Sequence, residues 1–233
     1  MHKIKIPQPA IDRVLARRDQ LHVFREIDPR RTAHVVVDLQ NGFMVEGQPV
    51  EIPTAREIVP NVNRISHALR AAGGQVVYIQ SVIDEKAQRN GSNWFSVMSG
   101  AKRVKRMEET FCEGSFGHQL YNELEVLPAD LRVTKRTYSA FTPGMCDLHS
   151  VLQQRGIDTL LITGTATNVC CESTARDAMM MNYKVIFITD GNATWTDEEH
   201  NATLGTMLAQ FSDVRSTDEV IHLLSGSQRA AAE

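Results

Sequence analysis

The feature that most limits the fold is an alternation of short, continuous apolar runs with segments of helical period. His34-Val35-Val36-Val37, Gln75-Val76-Val77-Tyr78-Ile79, Leu131-Arg132-Val133-Thr134, Thr159-Leu160-Leu161-Ile162-Thr163 and Lys184-Val185-Ile186-Phe187-Ile188-Thr189 have the length and branched content of strands. Most of them do not alternate apolar with polar residues, so both faces of the sheet need cover. Between them, Val59, Val62, Ile65 and Leu69 recur at helical spacing and stop at Gly73-Gly74. Further helices are predicted over 147–155, closed by Gly156, and over 168–182. Thr196 with Glu199 fits a capping box that starts a helix reaching Phe211. Strand and helix in turn predict an α/β fold, a three-layer α/β/α sandwich around a parallel sheet.

With 233 residues, 42% of them hydrophobic, the chain can bury one sizeable core without splitting. Residues 1–30 read as a basic N-terminal arm laid on the body or on a neighbouring subunit. Residues 31–225 read as a single domain and 226–233 as a flexible tail. Residues 84–116 are polar and glycine-flanked, a long and partly helical loop region. A formal charge of −3 leaves no electrostatic footprint for nucleic acid or an acidic membrane surface. No apolar run approaches membrane-spanning length. The four cysteines, two of them adjacent, fit free thiols in a reducing compartment rather than a disulfide framework, which places the protein in the cytoplasm.

In an open parallel sheet the ligand crevice lies beyond the carboxyl ends of the strands. Asp38 ends the first predicted strand, Lys135 ends the third, and Cys170 opens the helix after the fourth. Taken singly, such residues are ordinarily a turn carboxylate, a solvated lysine and a small buried hydrophobe. Their convergence on one rim has no such explanation. A thiol near a helix N-terminus and beside an ammonium is expected to ionise more easily, and a neighbouring carboxylate can take its proton. Backbone N–H groups over 164–170 can form an oxyanion hole.

These segments resemble the isochorismatase-like cysteine hydrolases, which include nicotinamidase, N-carbamoylsarcosine amidase, ureidoacrylate amidohydrolase and biuret hydrolase. Val35-Val36-Val37-Asp38-Leu39-Gln40-Asn41-Gly42-Phe43 is similar to the family's first-strand motif. Lys135 with Tyr138-Ser139-Ala140-Phe141 is similar to its lysine motif. Gly164-Thr165-Ala166-Thr167-Asn168-Val169-Cys170, with Glu172-Ser173-Thr174, Arg176 and Asp177-Ala178, is similar to its nucleophile motif. The resemblance covers about residues 31–224. It implies a six-stranded parallel sheet, assembly into a homodimer or homotetramer, and Cys170 rather than Cys171 as nucleophile, with Asp38 and Lys135. It also implies a cis peptide at Thr165-Ala166 and an oxyanion hole from the N–H groups of Ala166 and Cys170.

Nicotinamidases hold a divalent metal through an Asp-x-His pair and further histidines, whereas Asn41 to Gln80 contains only His67. No metal and no cofactor is therefore expected. Isochorismatases lack the cysteine. The expected activity is metal-independent hydrolysis of a small linear amide or ureide through a thioester, releasing ammonia. The alternatives are hydrolysis of an aryl or lactam amide, or a non-catalytic binding role. Phe43 and Phe141 are candidates for the pocket wall or for core. Trp94, in a polar loop, is a candidate lid or subunit contact, or else satellite core, and Tyr138 a substrate contact. Gln210 matches a substrate-binding glutamine of biuret hydrolase or is a solvated helix-end residue.

Overall fold

The computed structural model describes residues 1–230. In chain order the elements are α1 (Gln8–Arg18), β1 (Thr32–Val37), α2 (Asn41–Met44), α3 (Val59–Ala71), β2 (Gln75–Ser81), α4 (Glu85–Asn90), α5 (Ala101–Phe111), β3 (Leu131–Lys135) and α6 (Leu148–Gln154). There follow β4 (Thr159–Thr165), α7 (Glu172–Met180), β5 (Lys184–Ala193), α8 (Asp197–Thr206), β6 (Asp213–Arg215) and α9 (Thr217–Ala230). The six strands make one sheet in the order β3-β2-β1-β4-β5-β6, every neighbouring pair parallel.

Side-chain alternation explains the layers. Along β1, Val35 and Val37 face one apolar cluster while Val36 faces another. The first cluster takes Val14 of α1, Leu148 and Leu152 of α6, Ala175 and Ala178 of α7, and Leu204 of α8. On the opposite face, Val59 and Val62 of α3 cover Val36 and Val76, and Val220 and Leu224 of α9 cover Leu161, Ile186 and Ile188. Each such aliphatic side chain contributes roughly 1.5–3 kcal/mol on burial, offset by the conformational entropy of ordering the chain. Helix-covered on both faces, the sheet has the expected three layers. Among the described residues no helix is long and apolar enough to cross a membrane.

Three elements differ from the sequence expectation. β5 does not stop at Thr189: it runs to Ala193 through Asp190-Gly191-Asn192, a string that reads as a turn. The β4–β5 register shifts there, and the Asn192 amide donates to the carbonyls of Ile162 (2.9 Å) and Ile188 (2.7 Å), replacing the lost ladder bonds. α8 stops at Thr206 and continues as a π-helical turn, Met207–Phe211. The sequence reading also places no helix after Phe211, although Ser216 and Glu219 carry a capping box. In the structure the Glu219 N–H donates to Ser216 Oγ and the Ser216 N–H to Glu219 Oε2. α9 continues helical backbone past residue 225, and the rest of the expected tail, residues 231–233, lies outside the described residues.

The N-terminal arm lies on its own chain. His2 Nδ1 is 2.8 Å from Asp197 Oδ1, the Thr194 N–H donates to His2 Nε2, and the His2 ring stacks on His200 at 4.4 Å. Arg17 donates to the Ala209 carbonyl, and Asp213 of β6 accepts from the N–H groups of Val23 and Phe24. Burial alone would raise the Asp213 pKa, but His22, Arg215 and the Phe24 N–H hold it below the ordinary value.

Gly164 permits the closest approach in the sheet. A Cβ there would stand 2.0 Å from the Val37 carbonyl oxygen, and its φ is +127°. Gly164→Ala is expected to cost about 3 kcal/mol or more, read as a large fall in denaturant midpoint; a near-native midpoint would refute the close-approach argument. Two histidines give a pH signature. Burial lowers His34 to about 3, with Arg70 adding to the effect, and burial lowers His200 to about 4. Their rings bond Ser66 and Thr163, and Thr167 and the Thr189 carbonyl, respectively. Both are neutral when folded and protonate more readily unfolded, so stability is complete above about pH 6.5 and falls as pH drops below it. The loss reaches at most about 2 kcal/mol per histidine at pH 5. Thermal melting against pH should show the decline starting near 6.5; a flat profile from pH 7 to 5 would contradict it.

Candidate active site

Chain progression across the sheet reverses between β1 and β4, and the crevice at such a reversal opens beyond the strand ends. Asp38 is the residue after β1. Its φ of 56° is left-handed, uncommon outside glycine, and turns the chain off the strand while its N–H still donates to the Ile79 carbonyl at 3.0 Å. Lys135 is the last residue of β3, in register with Ser81 at the end of β2. Cys170 lies in a π-helical turn, Thr167–Cys171, entered through a cis Thr165-Ala166 peptide. The Ala166 carbonyl accepts from the N–H groups of Val169 and Cys171, which winds this turn tightly at the mouth of β4.

The three expected residues meet. Lys135 Nζ is 2.8 Å from Asp38 Oδ2 and donates to Cys170 Sγ at 3.4 Å, to Ser81 Oγ at 2.8 Å and to the Thr137 carbonyl at 3.0 Å. Asp38 is 0%, Lys135 1% and Cys170 5% exposed. Lys135 also donates to Ser81, Thr137 and Cys170, while Asp38 Oδ2 stays in ion-pair contact with the ammonium at 2.8 Å. Oδ1 is satisfied by the Ser81 hydroxyl at 2.9 Å.

Burial would lower the Lys135 pKa, but the adjacent Asp38 and Cys170 raise it well above its ordinary value, so the ammonium is firmly held. The thiol behaves differently from the sequence expectation. Burial, then the negative charge of Asp38, push the Cys170 pKa well up, and Lys135 only partly opposes them. The resting group is a neutral thiol beside a carboxylate. The expected thiolate gives way because desolvation disfavours a third buried charge. All four cysteines are free; Cys171 is wholly buried in the main core, with its pKa also raised by burial.

The pocket candidates separate. Trp94 and Tyr138 stand edge to face at 6.1 Å, and Tyr138 is half-exposed, its hydroxyl pKa raised by burial and by the nearness of Cys170. Phe43 stacks on Phe111 at 4.7 Å in a small cluster with Val50, Met107, Ile83 and Trp94, so Phe43 and Trp94 share one satellite core beside the site. Phe141 takes the core alternative: it is buried in the main core, tilted against Tyr183 and His149. Gln210 takes the solvated alternative. It is exposed on the turn that leads into β6, at the amino end of the sheet, the opposite edge from Asp38 and Lys135.

Other motif residues hold the frame. Thr174 Oγ1 accepts from the Ala140 N–H, joining α7 to the segment after Lys135. Glu172 pairs with Arg176 and accepts from Thr203, and Arg176 lies 4.0 Å over the Phe211 ring. One residue next to the buried pair, Ser81, escapes a reading by motif: it bridges Asp38 and Lys135. Gln40, inside the first-strand motif, bonds both backbone groups of Ser81. The available signal was a polar residue closing an otherwise apolar strand.

His67 is exposed on α3, and no group of three or more His, Cys, Asp or Glu is placed to hold a metal among the described residues.

Comparison with known proteins follows the same outline. The isochorismatase domain family matches residues 32–219. YwoC, an isochorismatase family protein of Bacillus subtilis (strain 168), is 32% identical over 84% of this chain and 95% of its own. A protein of Agrobacterium fabrum named ureidoacrylate amidohydrolase RutB is 35% identical over 70% of this chain and 76% of its own. Among solved structures, a cysteine hydrolase from Pseudomonas syringae pv. phaseolicola superposes with a TM-score of 0.74 at 27% identity, covering 86% of this chain and 95% of that one. With the family matched over nearly the whole sheet and its helices, this chain belongs to the isochorismatase family.

Proposed function

We propose that this protein is a cysteine amidohydrolase that cleaves the C–N bond of a small linear amide or ureide through a thioester, with no metal. The observation that carries the reading is one buried ammonium touching both a carboxylate (2.8 Å) and a thiol (3.4 Å). The 35% identity to a protein named ureidoacrylate amidohydrolase supports the ureide class.

The chemistry follows from the geometry. As Cys170 Sγ attacks the substrate carbonyl carbon, its proton passes to Asp38 Oδ2, the oxygen not taken by the Ser81 hydroxyl. The raised thiol pKa makes this transfer part of the attack rather than a step before it. The N–H groups of Ala166 and Cys170, at the head of the turn, receive the developing oxyanion, an effect worth about 3 kcal/mol per donor. Asp38 returns the proton to the leaving nitrogen, ammonia departs, and an acyl or carbamoyl thioester remains on Cys170. Asp38 then takes a proton from water, which attacks the thioester and releases the acid and the thiol. Lys135 keeps its proton throughout and balances the charge that moves between Asp38, sulfur and oxyanion. Trp94 and Tyr138 frame the entrance over a substrate of modest size.

A screen for ammonia release over ureidoacrylate, biuret, carbamoyl amino acids and simple amides identifies the substrate. Cys170→Ala should reduce turnover to background. Asp38→Asn, which removes the base, should lower kcat by about 10²–10⁴. Cys171→Ala should keep most activity; a loss equal to that of Cys170→Ala would mean the other sulfur reacts. The amidohydrolase reading fails if no amide releases ammonia and an electrophilic amide analogue leaves no adduct on Cys170 by intact-mass spectrometry.

A further inference from the structure

Asp38 and Lys135 are not carried by neighbouring strands. β2 lies between β1 and β3, so the two side chains must reach across a strand, a span of roughly 10 Å between outer backbones. Ser81, the last residue of β2, stands in that gap. Its hydroxyl donates to Asp38 Oδ1 at 2.9 Å and accepts from Lys135 Nζ at 2.8 Å. The residue cannot drift: its N–H donates to Gln40 Oε1 at 2.7 Å and its carbonyl accepts from Gln40 Nε2 at 3.0 Å. Gln40 is fully buried and two residues from Asp38, so the strand ends of β1 and β2 are locked to each other beside the reacting atoms.

This hydroxyl makes the two oxygens of Asp38 inequivalent. Oδ1 takes the Ser81 hydroxyl, while Oδ2 faces the Lys135 ammonium at 2.8 Å. It also takes one of the three hydrogens of Lys135, the others going to the Thr137 carbonyl and to Cys170 Sγ. We propose that Ser81 is a positioning residue that occupies Asp38 Oδ1, so that Oδ2 is the acceptor for the Cys170 proton, and keeps a Lys135 hydrogen on the sulfur. The inference rests on the reading of Cys170, Asp38 and Lys135 as the reacting groups. Without the hydroxyl, the freed ammonium hydrogen turns from the sulfur side more fully onto Asp38 and leaves the carboxylate a weaker base.

The test has a readout that needs no substrate. Alkylation of Cys170 by iodoacetamide is followed against pH by peptide mass mapping in the wild-type protein, Ser81→Ala and Ser81→Thr, with thermal melting alongside. Ser81→Ala should slow Cys170 alkylation about tenfold or more at pH 7 and move the midpoint of its pH profile, and should lower kcat by about 10–100-fold with KM little changed. Ser81→Thr, which keeps the hydroxyl, should restore the profile. A Ser81→Ala profile superimposable on wild type would overturn the proposal. So would a Ser81→Thr protein with native melting but no recovered alkylation, which decides the matter even if Ser81→Ala does not fold. Wild-type protein that releases no ammonia from any amide, yet shows Ser81-dependent alkylation, would sink the amidohydrolase reading and keep this one.

Discussion

Everything at the strand ends is arranged around one buried ion pair, Asp38 with Lys135, 2.8 Å apart and shut off from water. Removing two charges from water costs several kcal/mol per ion, and mutual attraction compensates only when the remaining polar atoms are satisfied. The surroundings answer that demand: Ser81 serves both ions, the Thr137 carbonyl takes a second lysine hydrogen, and the thiol of Cys170 takes a third. Asp38 Oδ2, the oxygen that Ser81 does not take, faces the ammonium itself.

The same pair explains the state of the cysteine. A lone lysine beside a thiol would favour the thiolate, but Asp38 already uses that charge, and burial adds its own penalty. Sulfur therefore rests as a neutral thiol with its base and its counter-ion in place. An ionised sulfur in a site of this kind would be open to unwanted electrophiles and oxidants; a protonated one reacts only when a carbonyl is positioned and a proton acceptor waits. Packing enforces the geometry. Gly164 brings β4 against the Val37 carbonyl, Thr174 pins α7 to the chain after Lys135, and Gln40 ties β1 to β2. Three strand ends are thus fixed relative to one another before any ligand enters.

Much of this was legible in the sequence. The continuous apolar runs identify strands buried on both faces, because only a helix-covered parallel sheet hides such runs. Asp38, Lys135 and Cys170 were visible because each stands where a strand hands over to the next element. Less legible were β6, three residues long and centred on the charged pair Asp213 and Arg215, and the continuation of β5 through Asp190-Gly191-Asn192. Local chemistry argues against a strand in both, and side-chain hydrogen bonds made across the fold override it, from Asn192 to β4 and from Asp213 and Arg215 to the segment at Val23-Phe24. Phe141 and Gln210 looked alike as pocket candidates, yet one lies in the core and the other at the far edge of the sheet. Sequence distance from a reactive residue carries no direction.

What the sequence determined by itself was the class of fold, the family and the identity of the three groups at the rim, since these depend on periodicity and on residue types at strand ends. What tertiary structure decided was their electrostatic state. Whether Cys170 is thiolate or thiol, which oxygen of Asp38 takes the Ser81 hydroxyl, and that Ser81 stands between the two ions all depend on burial and on which strands are neighbours. Desolvation and hydrogen-bond direction are properties of the packed sheet order β3-β2-β1-β4, not of any local string.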